Sequence, residues 1–309
     1  MVRGRGAPLA GRQETAHEAL TQDCHMNIPP PPRTYRHIEV RPIAGALGAE
    51  IEGVDAAESL STEVVEEVRH ALLDHLVVFL RNQNLTPQQQ VAFARAFGEP
   101  IEYPQLKGLP GCPLITPVVK LPHERVNFGG IWHSDTTYLA CPPMASMLYA
   151  IETPPYGGDT LFANQYLAYE TLSKGLKRTL DHLSGISSSL KADASRTRED
   201  ALRAVGAERK VLIAEHPVVR THPETGRRAL YVNVGHTTGF KGWTEEESKP
   251  LLEFLFRHQV KPEFTCRFHW EPGSLAFWDN RCVQHNPVND YHGFKRVMHR
   301  VTLAGDRPV

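Results

Sequence analysis

Residues 129–138 read Gly-Gly-Ile-Trp-His-Ser-Asp-Thr-Thr-Tyr. Two glycines open the stretch, Cys141-Pro142-Pro143 follows it, and His133 and Asp135 stand two apart. On an extended strand, side chains two apart point to one face. An imidazole and a carboxylate sharing a face suit a metal ion, and they equally suit an ordinary hydrogen-bonded pair. The pair alone decides little, because the chain has 16 histidines. His37-Ile38-Glu39 and His222-Pro223-Glu224 repeat the same spacing with glutamate.

Working outward, the chain from about residue 100 consists of short strand-like runs punctuated by Pro and Gly. Pro110-Gly111, Pro154-Pro155, Gly157-Gly158 and Pro272-Gly273 are examples. This pattern predicts a mainly β fold, a β-sandwich or jelly roll. Upstream, Arg36 to Val40, Leu47 to Val54 and Leu76 to Leu80 read as strands. Ser61-Thr62 and Thr86-Pro87-Gln88-Gln89 carry the cap signals of two flanking helices. Thr244 to Phe256 reads as a further capped helix, with Leu251, Leu252 and Leu255 inward. A stretch around residues 168–210 reads as a helical, charged insertion. Lys191 to Lys210, poor in large apolar residues, is expected to act as a lid. Residues 1–33, ending in the run Pro29 to Pro32, are expected to be a disordered extension. Residues 34–309 are expected to form a single domain.

Composition narrows the function. At 41% hydrophobic and 22% charged the chain is of soluble globular type. It lacks an apolar run long enough for a membrane span, and its first residues lack the plan of a signal peptide. A cytoplasmic location without a membrane partner is the expectation. Net charge is −1, which gives no overall attraction to nucleic acid. Five scattered cysteines without a CxxC pair argue against a disulfide framework or a thiolate zinc site.

A metal at His133 and Asp135 needs a third ligand, and His285 is the candidate. It follows the strand-like Ser274 to Trp278 and the turn at Asp279-Asn280. Two imidazoles and one carboxylate on one face are the facial triad of non-haem Fe(II) oxygenases, with three coordination positions left open. The run Lys295 to Leu303 alternates, with Arg296, Met298, Arg300 and Thr302 on one face. If that face is buried, its two arginines need anions. Along a strand they stand about 13 Å apart, enough to serve two anions. The other reading is a solvated face carrying two ordinary arginines. Thr160 offers a hydroxyl just after the Gly157-Gly158 turn, or closes a plain β-turn.

Taken together, these pieces resemble the taurine dioxygenase (TauD/TfdA) family of Fe(II)/2-oxoglutarate-dependent dioxygenases, over about Arg36 to Pro308. Phe79 to Pro100, Trp132 to Asp135, Gly157 to Thr160, Lys261 to Phe264, Phe277 to His285 and Lys295 to Pro308 carry the likeness in order. Thr160 is 27 residues after His133, and Arg296 and Arg300 are 11 and 15 after His285, as in the family. The resemblance implies a clavaminate-synthase-like double-stranded β-helix, or jelly roll. It also implies Fe(II) as cofactor, 2-oxoglutarate and O2 as co-substrates, and a homo-oligomer, dimer or tetramer.

By the same resemblance, His133, Asp135 and His285 are the iron ligands. Thr160 and Arg296 hold the distal carboxylate of 2-oxoglutarate. Arg300 meets the substrate anion, and Trp278 is an aromatic beside the iron or a packing residue. Four pocket positions depart from the taurine-using pattern: Tyr103, Leu106, Gly129 and His236. They place taurine itself in doubt and point to a larger anionic organic substrate. Hydroxylation at a carbon bearing a leaving group would then collapse to an aldehyde or ketone. Two other readings stay open at this point: a zinc hydrolase on the same two histidines and aspartate, and a non-catalytic anion-binding β-sandwich.

Overall fold

Val77–Leu80 is a strand whose four residues are all buried, and its alternation explains the architecture. Successive side chains of a strand point to opposite faces. Val78 and Leu80 join a core with Val68, Ala71 and Leu72 of the helix Thr62–His75 and with Val91 and Phe93 of the helix Pro87–Arg95. Val77 and Phe79 join a different core with Phe162, Phe268 and Trp278. The strand therefore belongs to a sheet with helices on one face and a second sheet on the other.

The computed structural model describes residues 33–104, 106–191 and 211–309, together with Met1. Tyr35–Val309 clusters as one unit. Among the described residues the larger sheet has eight strands. Their order is Glu39–Pro42, Ala49–Glu52, Val77–Leu80, Leu275–Asp279, Ala145–Glu152, Arg296–Leu303 and Pro100–Ile101, with Thr116–Lys120 also paired to Arg296–Leu303. The smaller sheet facing it has the antiparallel order Thr265–Phe268, Thr160–Asn164, Val283–Pro287. This is the mainly β jelly-roll body with flanking helices that the sequence predicts.

The flanking helices start where their caps dictate. The Ser61 hydroxyl accepts from the Val64 amide, and Thr86 forms a reciprocal capping box with Gln89 behind Pro87. Thr244 and Glu247 do the same for Glu245–His258. At the other end of Thr62–His75 the chain must turn at once into the central strand. Leu76 makes that turn in the left-handed region, at φ 66°, and stays buried. A non-glycine residue there is strained, so the apolar packing of Leu76 offsets the cost.

One expectation fails. Gln165–Glu170 and Lys174–Leu180 are helices, but Ser184–Ser188 is a strand between Ile213–Pro217 and Thr237–Phe240. Pairing with two strands distant in sequence overrides the weak local preference of Ser-Gly-Ile-Ser-Ser. Residues 192–210, most of the expected lid, lie outside the described residues, as do residues 2–32 of the expected extension. No described helix is long and apolar enough to cross a membrane.

Candidate metal centre

The inner faces of the two sheets supply the site. On Arg296–Leu303, Met298 packs in the core between the sheets, whereas Val301 and Leu303 pack beneath the helices. Arg296 and Arg300 share the inner face with Met298 and are each only 4% exposed. The solvated-face reading of this strand is thereby excluded. On the smaller sheet His285 stands opposite Phe162, and Pro287 opposite Thr160. Phe162 is a core residue, so His285 and Thr160 also face inward.

His133 reaches the same place by a single β-bridge. Its N–H donates to the His285 carbonyl at 3.1 Å, and the His285 N–H donates back at 2.8 Å. Asp135 does not continue a strand. It opens a turn in which Thr136 takes φ 43°. The two residues thus converge through a bridge followed by a turn, which corrects the expectation of one extended strand.

One ligand atom from each of His133, Asp135 and His285 lies within 4.8 Å of the others, and all three residues are buried. Nε2 of His133 is 3.8 Å from Oδ1 of Asp135. Nδ1 of His133 donates to the Ile131 carbonyl at 2.6 Å, which leaves its Nε2 lone pair free. Nδ1 of His285 is buried without a hydrogen-bond partner.

Burial holds both imidazoles below their ordinary range, His285 strongly so, and they are neutral at pH 7. Burial alone would raise the Asp135 carboxyl. Arg300, the two imidazoles and the Ser146 hydroxyl outweigh that, so it stays ionised far into acid. Three deprotonated donors aimed at one buried point, with valence unspent, fit a divalent cation.

A pocket opens beside this point. Gly129, His133, Thr160, Trp278, His285, Arg296 and Arg300 all line it, with Val118, Phe128 and Leu148 as apolar wall. Nε and Nη2 of Arg296 are buried without partners, and its guanidinium lies 5.5 Å from the Trp270 ring centroid. The Trp270 indole donates to Thr160 Oγ1 at 2.9 Å, which frees the Thr160 proton for another acceptor. Unpaired buried guanidinium donors beside a hydroxyl fit a carboxylate.

Arg300 donates to Asp135 Oδ1 at 3.3 Å, stacks 3.9 Å over the Tyr103 ring, and keeps Nε and Nη2 unpartnered. Gly129 has φ 73°, and a Cβ there would come within 3.0 Å of the His133 ring. The absence of a side chain therefore lets the pocket approach the ligand.

Three of the residues singled out from the sequence, Tyr103, Leu106 and His236, stand back from the pocket wall. Tyr103 supports Arg300 from beneath. His236 packs edge-on to His133 at 5.9 Å and is hydrogen-bonded to Thr137 at 3.0 Å. Burial first, and His133 next, hold His236 down to about 3, so it is neutral. Ser146, which donates to Asp135 Oδ2 at 2.7 Å, is missed by the sequence reasoning. A serine inside the apolar run Ala145 to Glu152 carries no local signal of such a role.

Comparison with known proteins agrees with this geometry. The chain matches the family described as "Taurine catabolism dioxygenase TauD, TfdA family" over residues 39–302. It is 38% identical over 280 residues to an alpha-ketoglutarate-dependent sulfate ester dioxygenase of Pseudomonas putida, spanning 88% of this chain and 91% of the relative. It is 34% identical over 281 residues to an alkylsulfatase of Acinetobacter baylyi, spanning 88% and 86%. A crystal structure of a taurine dioxygenase from Burkholderia xenovorans superposes with a TM-score of 0.77 at 41% identity, covering 89% of this chain and 91% of that one.

Proposed function

We propose, on the premise that this chain belongs to the TauD/TfdA family of taurine catabolism dioxygenases, that it hydroxylates a C–H bond of an organic anion larger than taurine. It is a 2-oxoglutarate-dependent dioxygenase, and such enzymes use Fe(II), 2-oxoglutarate and O2. With Fe(II) bound, one oxygen atom of O2 enters the substrate C–H bond while 2-oxoglutarate is oxidatively decarboxylated to succinate and CO2.

The chain's own residues bind and orient. His133, Asp135 and His285 hold the metal. The Thr160 hydroxyl and the unpartnered Nε and Nη2 of Arg296 take the distal carboxylate of 2-oxoglutarate. Arg300 offers its Nε and Nη2 to the substrate anion, and Val118, Phe128 and Leu148 shelter the organic part. Fixing both ends of the reactants places a substrate C–H beside the metal without later search.

The observation that carries this reading is the pair of buried arginines with unspent donors on one inward strand face. A zinc hydrolase leaves Arg296 without a purpose, and an anion-binding sandwich leaves the convergence of His133, Asp135 and His285 without one. A sulfate or sulfonate head suits Arg300. The sulfate-ester relative supports that class, and Gly129 in the pocket wall, with no side chain, argues for more room than taurine needs. An alkyl sulfate hydroxylated next to its ester oxygen would collapse to an aldehyde and free sulfate. Assembly into a homo-oligomer belongs to the same proposal, and light scattering reads it directly.

The test is succinate release over a panel of alkyl sulfates, alkanesulfonates and taurine. Alkyl sulfates are expected to give aldehyde and sulfate, with taurine near background. Arg300→Met should raise the anion's KM at least ~30-fold, as loss of a buried charged partner does, without moving the 2-oxoglutarate Kd. Preference for taurine, or turnover indifferent to Arg300, would refute the substrate class.

A further inference from the structure

We propose that Ser146 and Asn280 are positioning residues that decide which oxygen of Asp135 faces the metal. The inference rests on the metal reading proposed above and adds two residues to it.

Hydrogen-bond polarity carries the argument. The indole Nε1 of Trp278 lies 2.9 Å from Oδ1 of Asn280, and the backbone N–H of Asp135 lies 3.4 Å from the same atom. Both neighbours can only donate, so that end of the Asn280 amide must be its oxygen. The amide nitrogen then faces Ser146 Oγ at 3.0 Å and donates to it. Ser146 has one proton, its oxygen is already receiving, and Asp135 Oδ2 lies 2.7 Å away. The hydroxyl therefore donates to the carboxylate.

Every direction in the chain from Trp278 through Asn280 and Ser146 to Asp135 is forced. All four residues are at most 2% exposed, so no bulk water competes. Trp278 and Ser146 are cross-strand partners in the larger sheet, and the Asn280 N–H is tied to the Met144 carbonyl at 2.9 Å.

The consequence concerns Asp135 alone. Its Oδ2 holds a short, charge-assisted bond from the Ser146 hydroxyl at 2.7 Å. Its Oδ1, 3.8 Å from the His133 Nε2, carries only the longer 3.3 Å bond from Arg300 and is the oxygen left freer for a metal. A carboxylate without this tether can rotate and chelate through both oxygens. It would then take a coordination position that a co-substrate needs.

The experiment titrates Co(II) into wild-type protein, Ser146→Ala, Asn280→Asp and His133→Ala. It records the dissociation constant and the visible d–d absorption, with circular dichroism of the metal-free proteins as the check on folding. Asn280→Asp is nearly isosteric and reverses the polarity, because a second carboxylate then competes for the Ser146 proton. Ser146→Ala and Asn280→Asp are expected to bind about 10- to 100-fold more weakly, the range for lost outer partners of metal ligands. Their d–d bands should also be altered, which a purely structural defect would not produce.

Wild-type affinity and spectrum in folded Ser146→Ala would overturn the proposal, and that variant suffices if Asn280→Asp does not fold. Wild-type protein that binds no Co(II), or His133→Ala that binds as well as wild type, would instead refute the metal reading itself.

Discussion

Two buried clusters in this molecule have nearly the same ingredients. His133, Asp135 and His285 form one, and His222, Asp279 and Cys282 form the other, each with potential ligand atoms within 4.8 Å. They differ in what remains unspent. Asp279 accepts from Arg281 Nε at 2.8 Å, from Arg281 Nη2 at 2.6 Å and from His222 Nε2 at 3.0 Å. His222 Nδ1 in turn accepts from the amides of Glu224 and Thr225, each at 3.2 Å. Burial and Asp279 push the Cys282 thiol well above its ordinary range, so it keeps its proton. That cluster is a closed account of donors and acceptors. In the first cluster His285 Nδ1 has no protein partner, His133 Nε2 stands 3.8 Å from Asp135 Oδ1, and that oxygen meets only one long bond from Arg300. A metal centre is recognised by vacant lone pairs, not by residue types.

The most damaging way to break the contrast is to open the closed cluster. Arg281→Met strands the buried Asp279 charge and should cost about 3–5 kcal/mol of stability in denaturant unfolding, with Co(II) affinity unchanged. Metal binding lost together with stability would mean the two clusters are not independent. Next comes the open pocket. Arg296→Met should weaken 2-oxoglutarate by about 2–4 kcal/mol, ~30-fold to nearly a thousandfold by calorimetry. The metal-free protein should lose little stability, because the buried cation removed has the Tyr291 hydroxyl but no carboxylate as partner. A large fall in its melting temperature would show that an anion already compensates the Arg296 charge.

The smallest effect is protonic. His236 is held down to about 3, below its unfolded range. The unfolded chain therefore takes up the proton first as pH falls, and stability is lost with it. Between pH 7 and pH 5 this residue should remove on the order of 1–2 kcal/mol, measured on His236→Phe against wild type. Stability that rises on acidification would contradict the sign.

Much of this was legible in the sequence because it was written as spacing. His133, Asp135, Thr160, His285, Arg296 and Arg300 could be picked out by their intervals, and the structure brings them around one point. The alternation of Arg296 to Leu303 was also legible, but not which face is wet. That depends on a second sheet whose strands come from residues 160–164, 265–268 and 283–287, too far away for any local pattern to announce. Ser184–Ser188 was misread for the same reason. Ser146 and Asn280 were illegible on different grounds. One sits as a small residue in a buried strand and the other follows an aspartate in what reads as a turn. Only the direction of their hydrogen bonds distinguishes them.

The strand Arg296–Leu303 is hydrogen-bonded on both edges, to Ala145–Glu152 and to Thr116–Lys120. A strand clamped on both sides cannot stretch or shift register. On the function proposed above, the two arginines on its inner face would act as the fixed marks of a gauge, one set against the co-substrate and one against the substrate. The oxidisable carbon would then lie at a set remove from the anionic head. Molecules of one head group but different reach would be sorted by where along their length they are cut.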